Sequence, residues 1–223
     1  MQAPRSTGLR AIPAGTPRTP VELEASMILT FLRHGSNSSI VGMLALLLAA
    51  AALGALGLPP LAIVVGIVLF FLTEYSTHRY VLHAPPAKSP FVARLQHRLH
   101  YDHHLEPTRL DLLFLPPWFL FPTLALFALA YFAITRSWPT VAALVAGNLI
   151  GLLYYEWVHY VAHIPYVPRT PYGRWIKKYH LWHHFKNERL WFGVTNPSMD
   201  LVGRTFARVE DVDRSENTRV LFR

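Results

Sequence analysis

Residues 40–72 carry no charged side chain, and this apolar run constrains the fold more than any other feature of the chain. A single helix of that length would measure about 50 Å, well beyond a hydrocarbon core of about 30 Å. Pro59 and Pro60 interrupt the run, which predicts one membrane crossing at about 40–57 and a second at 61–82. Two further apolar segments, at 112–134 and 139–163, complete the pattern. The sequence therefore predicts an all-α integral membrane protein with four transmembrane helices.

Composition agrees with this class of protein. The chain is 52% hydrophobic and 15% charged, with a net charge of +8. Soluble domains carry about 25% charged residues. The basic residues are separated by long apolar runs, so we expect no nucleic-acid partner. The chain has no cysteine, so any bound metal must use histidine and oxygen ligands.

Three regions are expected along the chain. Residues 1–38 read as a cytosolic N-terminal arm with an interfacial helix, 39–206 as the transmembrane catalytic domain and 207–223 as a polar tail. The helix is predicted to start at Thr19-Pro20, and Met27, Ile28, Phe31 and Leu32 form its apolar stripe, which suits either a membrane surface or the rest of the protein. The first 39 residues show no secretory signal, so we expect the first apolar run to stay in the mature protein.

Lysine and arginine are distributed unevenly between the two predicted membrane faces. They occur in the arm, in the loop 84–111 and in the tail, whereas the turns on the opposite face offer only Arg136. The positive-inside rule then places both termini and the central loop in the cytoplasm. Within the fourth span, Gly147 and Gly151 stand four apart, a spacing typical of close helix packing within the chain.

Ten of the 12 histidines form four spaced groups, all at the cytoplasmic ends of the predicted spans. The groups are His78 with His83; His100, His103 and His104; His159 with His163; and His180, His183 and His184. His34 and His97 lie outside these spacings. Residues at i, i+3 and i+4 share a helical face, which suits metal binding. Residues five apart lie about 140° apart on an ideal helix, so we expect the second span to fray near His83 or its side chain to reach round.

Burying so many unsatisfied imidazoles near a membrane is costly, which favours joint metal binding. Ten ligands are too many for one metal ion and suit two. Imidazole binds zinc, copper, iron and nickel alike, but an apolar bundle with few carboxylates suits a di-iron centre that activates O2 better than a hydrolytic di-zinc site. The free ring N–H groups need acceptors. The candidate acceptors are Asp102 and Glu156, with Glu106, Asp111 and Glu188 also close in sequence.

Four motifs in residues 70–206 resemble one known family. They are THRYVLH; HYDHH followed by RLDLLFLPPW; EWVHYVAH; and KKYHLWHHF followed by FGVTNPSMD. Together they resemble the membrane-bound fatty acid hydroxylase superfamily, which includes the sterol desaturases, and most closely the fatty acid 2-hydroxylases. Glu156 stands where relatives tend to have aspartate. The resemblance implies four transmembrane helices with a cytosolic helical cap around a dinuclear metal centre.

The resemblance also implies O2-dependent hydroxylation at C2 of a long acyl chain, either of a fatty acid or of a lipid such as ceramide. Two iron ions are the implied cofactor, with zinc in isolated protein, and no catalytic residue beyond the metal ligands is implied. No cytochrome b5 domain is visible, so a separate donor such as cytochrome b5, ferredoxin or a reductase would supply electrons. The implied ligands are His78, His83, His100, His103, His104, His159, His163, His180, His183 and His184.

Other functions remain open at this point. Sterol or carotenoid hydroxylases, desaturases and alkylglycerol monooxygenases share similar histidine groups. A membrane metal-binding or transport protein is an alternative of another class, although transporters place ligands nearer the bilayer midplane. A metal-stabilised scaffold without redox activity is a third. Four tryptophans are candidates for the membrane interface or for a substrate tunnel: Trp118, Trp157, Trp182 and Trp191.

Overall fold

The computed structural model describes residues 20–221, and every regular element in that part of the chain is helical. The expected all-α fold is therefore confirmed. The helices are α1 (Pro20–Arg33), α2 (Gly35–Ala52), α3 (Pro60–Thr77), α4 (Pro90–Gln96), α5 (Asp102–Leu105), α6 (Leu110–Leu113), α7 (Pro117–Thr135), α8 (Trp138–His163), α9 (Pro171–Phe185) and α10 (Ser198–Val202). Single π-helical turns follow α3, at His78–Leu82, and α4, at His97–Tyr101.

Four helical segments are long and apolar enough to cross a membrane, as expected. They are Gly35–Ala52, Pro60–Leu82, Leu110–Thr135 and Trp138–His163. The first lies about five residues earlier than the predicted 40–57. It ends before the prolines because Gly54 adopts a left-handed conformation, with φ +71°, and the N–H of Ala55 bonds back to Ala50 O at 2.9 Å. Glycine adopts this conformation readily and commonly terminates helices.

The close contact at the centre of the bundle joins α3 and α8. A Cβ on Gly147 would lie 2.2 Å from Ile63 O, and a Cβ on Gly66 would lie 2.3 Å from Leu144 O. Gly151 faces the Phe70 ring in the same way, since its Cβ would lie 2.6 Å from that ring. The two backbones approach each other only because these positions lack side chains. The close packing predicted from Gly147 and Gly151 is therefore contact within the chain.

Helix α1 begins at Pro20, as the sequence predicts, and its apolar stripe divides between two environments. Met27 and Phe31 are buried against residues of α6 and α8, whereas Ile28 and Leu32 are 47% and 41% exposed. The helix thus packs on the protein with one edge and presents the other outward. Residues 1–19 of the expected arm lie outside the described residues.

Candidate metal centre

All ten grouped histidines converge at one end of the bundle, where they form two clusters of five. Within each cluster, one ring nitrogen from every histidine lies within 4.8 Å of all the others. Nine of the rings are buried, and His83 is half-buried. Cluster 1 consists of His78, His83, His100, His104 and His183. Cluster 2 consists of His103, His159, His163, His180 and His184.

The π-helical turn after α3 explains how His78 and His83 meet. The N–H of His83 bonds to His78 O at 3.1 Å, which closes an i to i+5 turn. Such a turn adds one residue to a helical turn and is frequent at functional sites. The chain therefore remains helical up to Leu82, where the sequence had suggested fraying, and both rings enter cluster 1.

Each histidine triplet serves both clusters, a division that the spacing alone did not indicate. His100 and His104 belong to cluster 1, but His103 between them belongs to cluster 2. After α8, His183 joins cluster 1 whereas its neighbours His180 and His184 join cluster 2. The His104 and His184 rings stack at 4.1 Å with an angle of 18° between their planes, so the clusters share a wall. This arrangement suits two neighbouring metal ions.

Backbone carbonyls orient three rings of cluster 1 through their Nδ1 atoms. His78 Nδ1 lies 2.5 Å from Phe192 O, His183 Nδ1 lies 2.8 Å from Leu190 O, and His104 Nδ1 lies 3.0 Å from Thr218 O. A carbonyl oxygen only accepts, so each Nδ1 carries the hydrogen. In a neutral ring the Nε2 lone pair is then free and directed at the cluster, which is the usual orientation of metal-binding histidine.

The Nε2 atoms of cluster 1 lie too close together for hydrogen bonds to satisfy them. His100 Nε2 is 2.8 Å from His83 Nε2, 3.1 Å from His104 Nε2 and 3.2 Å from His78 Nε2. One nitrogen has at most one hydrogen to donate, and two of these neighbours already present lone pairs. Nitrogens bound at right angles to a common ion, at about 2.1 Å each, would be about 3 Å apart. The spacing therefore fits a shared cation.

The Nε2 atoms of cluster 2 are spaced as closely as those of cluster 1. His159 Nε2 lies 3.0 Å from His103 Nε2, and His163 Nε2 lies 2.9 Å from His180 Nε2. His184 Nε2 is buried without a hydrogen-bond partner, which a bound cation would supply. Buried polar atoms in proteins are otherwise nearly always paired.

Several of the clustered histidines lie outside the membrane-spanning segments, and burial keeps their imidazole rings neutral. Loss of solvation lowers the pKa of His104 to about 3, against a smaller opposing effect of the hydrogen bond to Thr218. The pKa values of His100, His180 and His183 are lowered well below the ordinary histidine value, again mainly by burial. The neutral ring is the form that coordinates a metal.

The two histidines left outside the sequence groups also lie outside the clusters. His97 is exposed and pairs through Nδ1 with Asp102 Oδ1 at 2.9 Å. His34 packs against the Phe114 ring at a centroid distance of 4.5 Å.

The carboxylates expected to accept from cluster histidines show other partners, although Oε2 of Glu156 and Oε2 of Glu188 are buried without a hydrogen-bond partner. Asp102 bonds to His97, and Glu156 Oε1 accepts from Leu115 N at 3.1 Å. Glu106 and Asp111 both pair with Arg109, and the nearest cation to Glu188 is Arg189 at 3.6 Å. Backbone carbonyls take the expected role in cluster 1. They were missed because a main-chain acceptor has no residue-type signature.

Of the four tryptophans, none lines the cavity described below among the residues that the structure covers. Trp118 is 53% exposed on α7. Trp157 and Trp182 are half-buried, and Trp157 packs edge-on against Phe31. Trp191 is fully buried, and its indole N–H donates to Ala207 O at 2.9 Å. The structure therefore gives Trp191 a core position instead of an interfacial or tunnel position.

A half-open, mainly apolar cavity of about 320 Å³ lies between α3, α7 and α8, with His78 of cluster 1 in its lining. His78 and Leu82 line one end of it, and Phe127 and Asn148 line the other. Helices α3, α7 and α8 provide the walls, which include Phe70, Leu120, Leu124, Leu152 and Tyr155. Phe70 precedes His78 by about two helical turns, so the cavity extends roughly 12 Å along α3. Asn148 is satisfied internally, since it donates to Gly66 O and accepts from Tyr131.

Four apolar helices and two buried five-histidine clusters, each of which could hold a metal ion, define a helical protein of the membrane class with a histidine-rich site beside an apolar cavity. The family described as fatty acid hydroxylase matches residues 63–205. That match covers most of the chain and includes both clusters, so the chain belongs to the fatty acid hydroxylase family.

Curated relatives are about a third identical to this chain within the aligned segments. The ceramide very long chain fatty acid hydroxylase SCS7 of Saccharomyces cerevisiae is 34% identical over 146 residues, covering 64% of this chain and 37% of that protein. The dihydroceramide fatty acyl 2-hydroxylase FAH1 of Arabidopsis thaliana is 32% identical over 143 residues, covering 63% and 58%. The chain therefore spans between about a third and three fifths of the length of these relatives.

A solved structure shows the same architecture. It is described as full-length scs7p with only the hydroxylase domain visible, and it matches with a TM-score of 0.65 and 26% sequence identity. The match covers 88% of this chain and 66% of the other. This similarity extends well beyond the histidine motifs, so it supports the arrangement of the whole bundle.

Proposed function

We propose that the protein hydroxylates a long acyl chain at C2, using O2 and two iron ions held by the ten clustered histidines. The observation that carries this proposal is the apolar cavity that ends at His78. Its walls suit a hydrocarbon chain, and one end opens onto a ring of cluster 1. The named activities of the relatives agree with this reaction.

The shape of the cavity favours oxidation near the head of the lipid. The cavity extends from His78 along the helices as far as Asn148 and Phe127, so a bound acyl chain would lie on one side of cluster 1. A chain that lies along the cavity with a carbon close to the carboxyl or amide group near His78 places carbons farther along the chain near Asn148. C2 is the first chain carbon beyond that group, which supports hydroxylation at this position.

The donor set suits the metals of this reaction. Five neutral imidazoles in each cluster bind a divalent ion without adding negative charge, and zinc would fit the same donors in isolated protein. Bound iron would supply O2 activation: with two electrons and two protons from outside, one oxygen atom enters the C–H bond as hydroxyl and the other leaves as water. Phe192, Leu190 and Thr218 orient the cluster 1 rings, and Phe70, Leu120 and Leu124 give the chain an apolar wall to lie against.

Mass spectrometry of lipids from a host that expresses the protein tests the reaction. We expect one added oxygen at acyl C2, dependent on O2, with His97→Ala retaining the product and His183→Ala losing it. His97 is the matched control because it is a histidine outside both clusters. Oxygen at another carbon, or on a sterol or carotenoid, would refute the C2 acyl assignment. An unchanged lipid profile, with a reductase supplied, would refute the proposal that the protein hydroxylates lipids.

We infer that both termini and the metal centre face the cytoplasm, where a separate donor such as cytochrome b5, ferredoxin or a reductase delivers electrons. The excess of lysine and arginine on that face supports this orientation. The absence of native cysteine makes the test direct. Labelling of intact cells with an impermeant thiol reagent should modify an Ala55→Cys variant and spare Lys88→Cys; the reverse result would overturn the orientation.

A further inference from the structure

The chain after α9 contacts cluster 1 through two backbone carbonyls. Leu190 O faces the Nδ1 of His183, and Phe192 O faces the Nδ1 of His78. These two histidines belong to different parts of the fold, the end of α9 and the turn after α3. The segment 190–193 therefore sets the orientation of rings on both sides of the cluster.

Asp200 holds the peptide group whose carbonyl faces His78. In a planar trans peptide the C=O and the N–H point in opposite directions. Phe192 O meets His78, and on the other edge of the same peptide Gly193 N–H donates to Asp200 Oδ2 at 2.7 Å. The Phe192 N–H donates to Asp200 Oδ1 at 2.8 Å. The carboxylate thus fixes the peptide groups on both sides of residue 192.

The peptide that faces His183 is held in a similar way, one step further from Asp200. The Trp191 N–H, opposite the Leu190 carbonyl, donates to Thr205 O at 3.1 Å. Thr205 in turn donates through its hydroxyl to Asp200 Oδ1 at 2.7 Å and through its backbone N–H to Asp200 O at 2.8 Å. Both carbonyls that orient cluster 1 rings from this segment are therefore tied to Asp200.

The surroundings of Asp200 are closed and specific. Its side chain is fully buried, which is costly for a carboxylate unless donors surround it. Phe192, Gly193 and Thr205 supply those donors. A Cβ on Gly193 would lie 2.1 Å from Asn196 O and 2.8 Å from Asp200 Oδ2, so the segment fits only with glycine at this position.

Cluster 2 lacks this support among the residues that the structure describes. The buried Nδ1 atoms without a hydrogen-bond partner include those of His103, His159, His180 and His184. Their rings are placed by packing against one another and not by backbone acceptors. The two clusters thus offer similar donors but differ in how firmly the rings are oriented.

We propose that Asp200 is a positioning residue that orients His78 and His183 through two peptide groups and makes cluster 1 the tighter of two unequal metal sites. Acceptors that orient a metal-binding histidine typically contribute 10- to 100-fold in metal affinity. Asp200 belongs to neither cluster and does not line the cavity, so its effect passes through the peptides. The inference rests on the proposed metal centre but not on the reaction catalysed there.

Metal titration of the purified full chain tests the inference. The protein is stripped with a chelator and titrated with Zn²⁺ against a competing chromophoric chelator. Wild type should bind two ions with different affinities. Asp200→Asn keeps the shape but replaces an acceptor with a donor, and it should weaken the tighter step by about 10- to 100-fold while leaving the weaker step unchanged. Asp211→Asn, the matched control, removes an exposed carboxylate and should change neither step.

The pattern across the two steps separates positioning from a general structural role. Loss of both steps together in Asp200→Asn, or no change in either, would overturn the inference. A wild-type chain that binds no zinc would overturn the metal centre itself. If Asp200→Asn does not fold, Thr205→Val removes one donor to the carboxylate, preserves side-chain shape and should weaken the same step by a smaller factor; equal weakening of both steps would again overturn the inference.

Discussion

The backbone N–H of His83 donates to the carbonyl oxygen of His78 at 3.1 Å, and the two rings lie 5.0 Å apart between centroids. This bond closes a π-helical turn, which is a helical turn with one residue added. On an α-helix the two residues would lie about 140° apart. The added residue is therefore what brings both imidazoles into cluster 1.

Changes of length in this turn should have opposite effects. Deleting Tyr80 places His78 and His83 four apart, a spacing that shares one face of an α-helix, so the variant should retain most cluster 1 metal. Inserting alanine after Tyr80 rotates His83 away by about 100° and should abolish one metal site per chain. The metal content of the deletion and insertion variants is measured by mass spectrometry, with Tyr80→Ala as the control. Equal metal content in the deletion and insertion variants would contradict this account.

The contact between α3 and α8 should be intolerant of side chains. Gly147→Ala places a methyl group against Ile63 O and the Gly66 backbone, so we expect it to destabilise the protein by at least about 1–3 kcal/mol. Gly42→Ala is the matched control, because a Cβ there meets no atom within 4 Å. Thermal unfolding in detergent measures both. A Gly147→Ala protein as stable as Gly42→Ala would show that the helices are not in close contact.

The cavity should limit acyl chain length. Leu124 lines the cavity wall, and Leu124→Trp should reduce its depth and shift the products towards shorter chains, by about tenfold in the ratio of long to short. Leu126→Trp lies on the same helix, is 68% exposed and should leave the ratio unchanged. Competition between acyl chains, followed by lipid mass spectrometry, gives the ratio. An unchanged ratio in Leu124→Trp would show that the acyl chain does not occupy the cavity.

Lys177 should stabilise the end of α8 next to cluster 2. Its amine donates to Val161 O at 2.9 Å, to Ile164 O at 2.7 Å and to Tyr166 O at 2.9 Å. Lys177→Met removes this donor from all three carbonyls, of which Ile164 O keeps its bond from Tyr166 N–H at 2.8 Å, and should cost about 1–3 kcal/mol. Lys178→Met removes an exposed lysine of the same helix and should cost little. Equal melting temperatures for the two variants would mean that solvent replaces the amine without loss.

The local sequence pattern was sufficient to predict the membrane-spanning helices and the four groups of histidines. The uncharged run 40–72 and its prolines predicted two spans, although Gly54 ended the first one earlier than expected. The glycines at 147 and 151 predicted a close helix contact, which the structure places against α3. These features depend on hydrophobicity and backbone conformation, which act over a few residues and can be read from their order.

The division of the ten histidines into two clusters could not be predicted from the local sequence pattern. His103 stands beside His104 in sequence but joins the other cluster, because the two side chains leave α5 in different directions towards different neighbours. The acceptors for the rings are carbonyl oxygens, and every residue has one, so no residue type marks Phe192 or Leu190 beforehand.

The sequence by itself determined that the protein is a four-span helical membrane protein with ten histidines gathered at one face, because apolar length and helical spacing are local properties. Only the tertiary structure decided that the ten form two sets of five and that Asp200, far along the chain, supports one set. Those relationships depend on how α3, α8 and the chain after α9 pack together. Packing brings together residues whose separation in sequence carries no sign of their contact.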